Sequence, residues 1–411
     1  MRGGNLNNQP FATKKQRNHK TMKKVRFGII GADFKLRANM VFENYPKDQS
    51  ELTAICDHNP AMLKKFQQEH PEYSSVKLYA SAGELFADEN VDAVFIMVRD
   101  QYHEELACAA LEAGKAVYLE KPMALTIEGC DHILETAYRT RGKLFLGHNM
   151  SYVESILKMK EVIDSGIIGN IQSVWVRHFV SYGSCYFRHW CSKQETCTGL
   201  LLQKGSHDID VIHWLTGSYT TRVVGMGRSS VYINNIGRLA PGEAPDRQVS
   251  FTAQAWPPRE LKGLASEIDV EDHNMILMQL ANGVQASYEH CMYTPDSERN
   301  YTFIGDKGRV ENIGDFGDCE VHVFTSRTRR SRPDIIYKLR EKPGTHGGSD
   351  PEIIKAFFDY VQLDKKPAVS PVAARYAVAT GYMGHQSMRN GNMPMDIPEL
   401  SPELIQYFEV K

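Results

Sequence analysis

The feature that most constrains this chain is a regular alternation of short apolar runs and helix-forming stretches between residues 25 and 149. The first run, Val25–Gly31, ends in glycine, and the second closes on an acid, Asp57. Later runs end near Val98, at Leu119 and near Gly147. Short apolar runs bounded by turn residues are typical of buried parallel strands. Strands that alternate with helices predict βαβ units, and so an α/β fold with a doubly wound parallel sheet.

The second half of the chain follows a different pattern. Polarity alternates along residues 171–180, and further strand-like runs cover 222–232, 275–290, 300–310 and 319–324. Helices are predicted near 153–165, 199–215, 351–362 and 370–389. Long alternating strands beside a few helices predict an α+β domain with a large open, mostly antiparallel sheet.

Length and composition limit the class of protein. A chain of 411 residues exceeds the roughly 250–300 residues at which single cores stop growing, so we expect more than one domain. The net charge of −2 argues against a nucleic-acid partner, and no apolar run approaches the roughly 18 residues of a membrane span. The eight cysteines form no C-x-x-C pair. We therefore expect no metal site and no disulfide framework, in a cytoplasmic protein.

The first strand and its glycine turn indicate a Rossmann site for a dinucleotide. A helix N-terminus after the turn would bind the pyrophosphate, and Asp57 would accept hydrogen bonds from the ribose. A carboxylate there repels a 2′-phosphate, so NAD is expected and NADP is less so. The glycine motif is incomplete, because Gly31-Ala32-Asp33-Phe34-Lys35-Leu36 has only its first glycine. A domain that binds another ligand, or none, therefore stays open.

Two further features carry chemistry. Glu120-Lys121-Pro122 follows the fourth predicted strand, and ligands of open α/β sheets lie beyond the carboxyl ends of strands. Within the predicted helix 199–215, Gln203, His207 and Asp210 share one stripe. Histidine is well suited to act as a general base near pH 7. A strand ending in a turn, and a polar stripe making buried hydrogen bonds, are the structural alternatives.

In combination these residues resemble the glucose–fructose oxidoreductase, inositol dehydrogenase and MocA-like (Gfo/Idh/MocA) oxidoreductases. The similarity runs from about Lys24 to about residue 393. Its elements are Phe27–Gly31, the stretch ending at His103, Gly114-Lys115, Glu120-Lys121-Pro122 and Gly199–Leu215. The resemblance implies an N-terminal Rossmann domain and a C-terminal α/β domain whose open sheet often forms a homodimer or homotetramer interface. It also implies a small-molecule sugar or glycoside as the substrate.

The alternation of strands and helices ends near residue 149, and this change, with the resemblance, predicts three parts of the chain. Residues 1–23 are expected to be a disordered tail, or sequence upstream of a start at Met22. Residues 24–149 are the Rossmann dinucleotide-binding domain, and 150–411 a substrate-binding and oligomerisation domain. The helix at 370–389 is placed where it could pack back on the Rossmann domain.

The resemblance also assigns roles to residues. Lys121 would contact both nicotinamide ribose and substrate, and His207 matches the acid/base histidine. Gln203 stands where the family has an aspartate, which Asp210 could replace. The predicted cofactor-binding residues are Gly31, Ala32, Asp33, Phe34, Asp57, His58, Met97, Val98, His103, Glu120, Lys121 and Asn149. The predicted substrate-binding residues are His178, Tyr182, Arg188, Trp190, Gln203, Asp210 and His346.

Three functions follow as hypotheses. The first is an NAD-dependent oxidoreductase that moves hydride between the cofactor and a secondary alcohol of a sugar or glycoside. The second is a redox-neutral glycosidase, epimerase or lyase that keeps NAD bound, as in family members similar in the loop around His346. The third, suggested by the incomplete glycine motif and by Gln203, is a non-catalytic dinucleotide- or sugar-binding protein.

Overall fold

The computed structural model describes residues 23–33, 37–243, 256–258, 261–315, 318–327, 332–340, 342 and 346–410. Most of the predicted tail, over 1–22, and the predicted cofactor residue Phe34 lie outside the described residues.

The first half forms the predicted α/β layer. Six strands pair in parallel in the order β3-β2-β1-β4-β5-β6. The strands are β1 Val25–Ile30, β2 Ser50–Cys56, β3 Lys77–Tyr79, β4 Ala93–Ile96, β5 Ala116–Leu119 and β6 Leu144–Leu146. The helices between them are α1 Arg37–Asn44, α2 Pro60–Glu69, α3 Ala82–Ala87, α4 His103–Glu112 and α5 Ile127–Thr140. The prediction of a doubly wound parallel sheet is confirmed; β3, short and partly exposed, was not predicted.

The second half forms a nine-stranded sheet in the order β14-β13-β12-β11-β7-β10-β9-β8-β15. Its strands are β7 Ile171–Phe179, β8 Thr220–Arg228, β9 His273–Leu280, β10 Gln285–Cys291, β11 Glu298–Gly305, β12 Arg309–Ile313, β13 Cys319–Phe324, β14 Ile335–Leu339 and β15 Met395–Asp396. Only β7 and β10 pair in parallel among these strands, so the sheet is mostly antiparallel, as predicted.

Seven helices of the described second half accompany this sheet. They are α6 Glu154–Asp164, α7 Gln194–Cys197, α8 Leu200–Gln203, α9 Gly205–Thr216, α10 Ser349–Leu363, α11 Pro371–Arg389 and α12 Pro402–Ile405. Within the described part of the chain, no helix combines the length and apolar character needed to cross a bilayer.

Three predicted elements are each two elements in the structure. The predicted helix 199–215 is wrong as one helix, because Lys204 separates α8 from α9. The runs at 275–290 and 300–310 are hairpins, β9–β10 and β11–β12. The prediction followed apolar periodicity alone and did not use the turn residues Asn282-Gly283 and Lys307-Gly308, which separate the paired strands.

Helices join the two sheets. α11 packs on β8 and α9 and also on α5, where the buried Arg375 guanidinium bonds Asp131 at 2.8 and 3.0 Å. α10 lies on the first sheet, with the Phe357 ring 4.8 Å from Phe95 and 5.6 Å from Tyr118. Segments late in the chain therefore complete the core of the first sheet.

The turn after β1 depends on glycine. Gly31 has φ +97°, and a Cβ there would lie 2.6 Å from the main-chain oxygen of Met97. We expect Gly31→Ala to lower the free energy of unfolding by about 2–3 kcal/mol, through backbone strain and this clash. Gly114→Ala is the control, since it shares a positive φ but meets nothing within 4 Å; it should cost only about 1 kcal/mol. Thermal unfolding compares them, and equal losses would contradict the clash.

Candidate active site

The site lies where the carboxyl end of β5 meets the interruption between α8 and α9. Lys121 follows β5, and its Nζ donates to the main-chain oxygen of Gln203 at 2.9 Å. That bond is made at the place where the helix is broken by Lys204. Lys121 is 9% exposed. The structure thus brings Lys121 beside the helix that carries His207.

Charges around Lys121 adjust its acidity. Burial, with the positive charges of Lys204 and Arg37, lowers the pKa of Lys121 to about 7, although Glu120 and Asp100 oppose the shift. A lysine with this pKa occupies both protonation states near neutral pH. It can therefore accept or donate a proton there.

His207 is a neutral imidazole. Burial, together with the charges of Lys121 and Lys204, holds the pKa of His207 well below its usual range. Its Nδ1 has no hydrogen-bond partner among the described residues. The His148 ring lies beside it, with the two centroids 6.4 Å apart. A neutral imidazole can donate one hydrogen bond and accept another, which suits it to binding a hydroxyl group.

The nearest acid of the predicted stripe faces His148. Asp210 Oδ2 lies 3.4 Å from His148 Nδ1, and both side chains are buried. Asp210 therefore lies beside His148, whose ring is next to that of His207, and neither Asp210 oxygen has a hydrogen-bond partner among the described residues. Gln203, in the position of the family aspartate, is 2% exposed.

Several buried polar atoms in this region lack hydrogen-bond partners among the described residues. They are Gln203 Oε1, His207 Nδ1, His148 Nδ1 and Nε2, and Asn149 Oδ1. Buried polar atoms are normally hydrogen-bonded, so an exception needs a reason. A hydroxyl-rich ligand bound here would supply the missing partners.

Beneath α9, Asp208 anchors the helix to the second sheet. Its carboxylate accepts from Tyr288 Oη at 2.8 Å and lies 3.0 Å from Arg299 Nε and 3.1 Å from His178 Nδ1. Burial raises the pKa of Asp208, but Arg299 and His178 outweigh it and hold the pKa below its usual range. His178, predicted to bind substrate, is thus engaged in this network.

A second network holds the segment before α8. His385 Nε2 accepts from Leu201 N at 3.1 Å, and Glu271 lies 3.5 Å from His385 Nδ1. Arg389 bonds Glu271 twice at 3.0 Å and donates to the main-chain oxygen of Thr198 at 2.8 Å. Sequence reasoning missed these residues, because they come from separate segments and form no local motif.

The edge of the first sheet holds the predicted cofactor residues. Ala32 N donates to Asp57 Oδ2 at 2.8 Å, and Asn59 N donates to Oδ1 at 2.8 Å, which keeps the carboxylate at the glycine turn. With no Cβ at Gly31 and an acid closing β2, this edge fits a dinucleotide. The His58 side chain is 95% exposed. Asp33 is partly buried and Met97 buried beside the same turn.

The His103 ring contacts two loops at this edge. It is fully buried, with Nδ1 2.7 Å from the Pro122 oxygen and Nε2 3.3 Å from the Val98 oxygen. Burial lowers the pKa of His103 to about 3, so the ring is neutral. A neutral imidazole carries one N–H, so it donates to only one of these two oxygens. The shorter contact is to Pro122, in the segment after β5 where Glu120 Oε2 accepts from Lys121 N at 3.1 Å.

Two predicted residues meet at the carboxyl end of β6. Asn149 Nδ2 donates to Asp350 Oδ1 at 3.3 Å, and His346 Nδ1 lies 3.0 Å from the same oxygen. The loop around His346 is thereby tied to Asn149.

Three further residues predicted to bind substrate are Trp190, Tyr182 and Arg188, and each has a contact with a polar or charged group. The Arg37 guanidinium lies 5.8 Å from the centroid of a Trp190 ring. Tyr182 has the Lys204 ammonium 5.5 Å from its ring centroid. Arg188 is buried and donates to the Gly263 oxygen at 3.3 Å.

The cysteines form no disulfide among the described residues. All eight cysteines are free thiols, and no group of three or more metal-ligating side chains occurs among the described residues.

Family models match both halves of the chain. Residues 25–148 match the Gfo/Idh/MocA model described as an oxidoreductase family, NAD-binding Rossmann fold. Residues 160–397 match its companion, an oxidoreductase family, C-terminal alpha/beta domain.

Individual relatives agree with these matches. YteT of Bacillus subtilis, named as an oxidoreductase, is 23% identical over 410 residues, covering 88% of this chain and 94% of YteT. An inositol 2-dehydrogenase of Salmonella typhimurium is 30% identical over 219 residues, covering 52% of this chain and 59% of the relative.

Solved structures share the fold. An oxidoreductase domain protein from Kribbella flavida superposes with a TM-score of 0.74 at 16% identity, covering 92% of this chain and 100% of that one. A scyllo-inositol dehydrogenase from Lactobacillus casei, solved with NAD(H) and scyllo-inositol, gives 0.68 at 20% identity, covering 91% and 99%.

The network before α8 predicts a pH-dependent stability. Burial raises the pKa of Glu271, but bonds from His385 and Arg389 outweigh it and lower the pKa to about 2, from 4.5. Such a lowering corresponds to about 3 kcal/mol, present above the unfolded pKa and lost as the pH falls towards the folded one. Glu271→Gln should therefore lower stability by about 2–3 kcal/mol at pH 7, and by less below about pH 4.5.

Urea unfolding at several pH values measures this difference. Exposed Glu51→Gln is the control and should change stability by no more than about 0.5 kcal/mol. A Glu271→Gln deficit that stays constant down to low pH would contradict the assignment.

Proposed function

We propose that this chain, which belongs to the Gfo/Idh/MocA family of oxidoreductases, is an NAD-dependent dehydrogenase acting on a secondary alcohol of a sugar or polyol. Family membership confirms the resemblance stated from the sequence. The observation that supports the proposal is the bond from titratable Lys121 to the Gln203 oxygen, four residues before neutral His207 in the chain. The inositol 2-dehydrogenases among the relatives support a polyol as the substrate class.

The cofactor would bind along the edge of the first sheet. The turn at Gly31 and Ala32 would receive the pyrophosphate, and Asp57 the adenosine ribose. Glu120 and Asn149 would lie towards the nicotinamide. When bound, NAD supplies the hydride acceptor for the reaction. The Asp57 carboxylate disfavours a 2′-phosphate, which supports NAD over NADP.

The chain's own residues handle the proton. Unprotonated Lys121 takes the proton of the substrate hydroxyl as the carbon that carries this hydroxyl loses its hydride. His207 holds the same hydroxyl through its imidazole. Burial of both groups excludes water, which strengthens these hydrogen bonds. The His148 ring lies beside that of His207, and Asp210 lies beside His148, so both add polar groups near the imidazole.

A second candidate function is a redox-neutral reaction with NAD kept bound. The contacts from His346 through Asp350 to Asn149 favour it, because a loop fixed near the nicotinamide end would retain the cofactor. The mass of any dinucleotide released by denaturing the purified protein separates the two functions. NAD that remains bound through purification supports this one.

We also propose a homodimer or homotetramer formed through the open face of the second sheet. Alternate residues of β9 are exposed, and large apolar side chains stand on this face, including Trp175, Met226 and Leu277. Exposed apolar patches of this kind mark association surfaces.

Oxidation should depend on pH through Lys121. The base must be unprotonated, so kcat/KM should rise as the pH rises through about 7 and then level off. Lys121→Met should lose about 10²–10⁴-fold in kcat, as expected for loss of general-base catalysis. NADH absorbance with myo-inositol, scyllo-inositol and glucose measures both effects.

The exposed Lys338→Met is the control for this experiment, since Lys338 lies on β14. NAD binding by Lys121→Met, followed by thermal shift, shows that the variant is folded. A rate that does not change between pH 6 and 8, or full activity in Lys121→Met, would refute the role of this lysine.

The assembly is expected to depend on the open face. Trp175→Glu with Leu277→Glu should convert a dimer or tetramer into a monomer, because each change places a charge in an apolar contact. Analytical ultracentrifugation measures the mass, with Met393→Glu, also exposed, as control. A monomeric wild-type protein at micromolar concentration would rule out this interface.

A further inference from the structure

We infer that Lys204 is the recognition site for a carboxylate on the substrate, so that within the proposed class of sugars and polyols this enzyme prefers sugar acids. The inference rests on the proposed function and deepens it. Lys204 occupies the break between α8 and α9, directly after the Gln203 carbonyl that binds Lys121. It was not among the residues predicted from the sequence.

The Lys204 ammonium lacks a carboxylate partner among the described residues. Lys204 is 7% exposed, yet no carboxylate of the described residues lies within ion-pair distance of its ammonium. The Tyr182 ring lies beside it, with the ring centroid 5.5 Å from Lys204 Nζ. Buried charges in proteins are normally paired, so an unpaired buried ammonium beside a ligand site calls for an anion from the ligand.

The neighbouring acids are already engaged. Arg299 Nε lies 3.0 Å from Asp208, and Arg299 Nη1 donates to Asp315 at 3.0 Å. Tyr288 and His178 also bind Asp208. Neither carboxylate is therefore available to Lys204 at close range, and Arg299 adds a second positive charge nearby.

Lys204 faces the same groups as the proposed chemistry. Lys204 directly follows Gln203, whose oxygen binds Lys121, and its charge is among those that lower the pKa values of Lys121 and His207. Burial, with the charge of Arg299, lowers the pKa of Lys204 itself to about 8. A bound anion would offset part of the repulsion among these positive charges. This favours binding of a negatively charged substrate over a neutral one.

The cofactor is not the anion that Lys204 would bind. Its phosphates would lie at the Gly31 turn, on the edge of the first sheet, whereas Lys204 lies at the break between α8 and α9, beside the Tyr182 ring. A carboxylate suits the site better than a phosphate. One free ammonium balances one negative charge, and a phosphate monoester carries about −1.5 to −2 at pH 7.

The test compares sugars that differ at one carbon. Glucuronate, glucose and glucose 6-phosphate are offered to the full-length protein with NAD, and both NADH formation and ligand binding by calorimetry are followed. In the wild type we expect kcat/KM and affinity to favour glucuronate over glucose. In Lys204→Gln the ratio of the two should fall about 10- to 100-fold, the effect of losing one charge-assisted hydrogen bond.

Glucuronate and glucose are compared within one variant, so a general loss of folding or of Lys121 function affects both responses equally and leaves their ratio unchanged. Lys204→Arg keeps the charge and should restore most of the preference, and Lys338→Gln should leave the ratio unchanged. An equal or better response to glucose in the wild type, or an unchanged ratio in Lys204→Gln, overturns the inference while the dehydrogenase activity stands. Preference for glucose 6-phosphate that depends on Lys204 overturns the assignment of a carboxylate.

The remaining outcomes separate this inference from the proposed function. Lys204-dependent binding of glucuronate without any NADH formation would refute the dehydrogenase and leave the carboxylate site in place. Neither binding nor turnover of any of the three sugars would refute both.

Discussion

The hydrogen bond from Lys121 Nζ to the main-chain oxygen of Gln203 is the interaction on which the site depends. It crosses from the carboxyl edge of the parallel sheet to the helices that cover the mixed sheet. The acceptor is an uncharged carbonyl at a helix interruption, so the bond satisfies the ammonium without neutralising it. Burial, with the positive charges of Lys204 and Arg37, then outweighs the attraction of Glu120 and Asp100, and the pKa of Lys121 falls towards neutrality. An ion pair at the same place would have had the opposite effect.

The surroundings of this bond are made rigid by polar groups that do no chemistry themselves. Glu271, His385 and Arg389 fix the segment entering α8, and Asp208 with Arg299 fixes α9 on the sheet. Both networks bury carboxylates whose partners arrive from distant strands and from α11. The result is a helix pair that can stay interrupted at Lys204 and still hold His207 in place.

How well elements were predicted depended on how local their determinants are. β1, β4 and β5 have buried apolar residues on both faces, so their runs were visible as strands. β3 and β14 alternate weakly and lie at sheet edges, where burial imposes little pattern. The helix 199–215 was predicted as continuous because its apolar periodicity passes through Lys204. Its break coincides with a contact to Lys121, 82 residues away.

The sequence by itself determined the two sheet types, the family, and the presence of Lys121 and His207 at strand and helix positions suited to a site. Those properties follow from periodicity, turn residues and motif order, which act over a few neighbouring residues. Only the tertiary structure decided that Asp210 lies beside His148, that His178 belongs to the Asp208 network, and that Lys204 is buried with no carboxylate of the described residues within ion-pair distance. Pairing and burial of charge depend on which distant segments meet, and a single sequence does not state which those are.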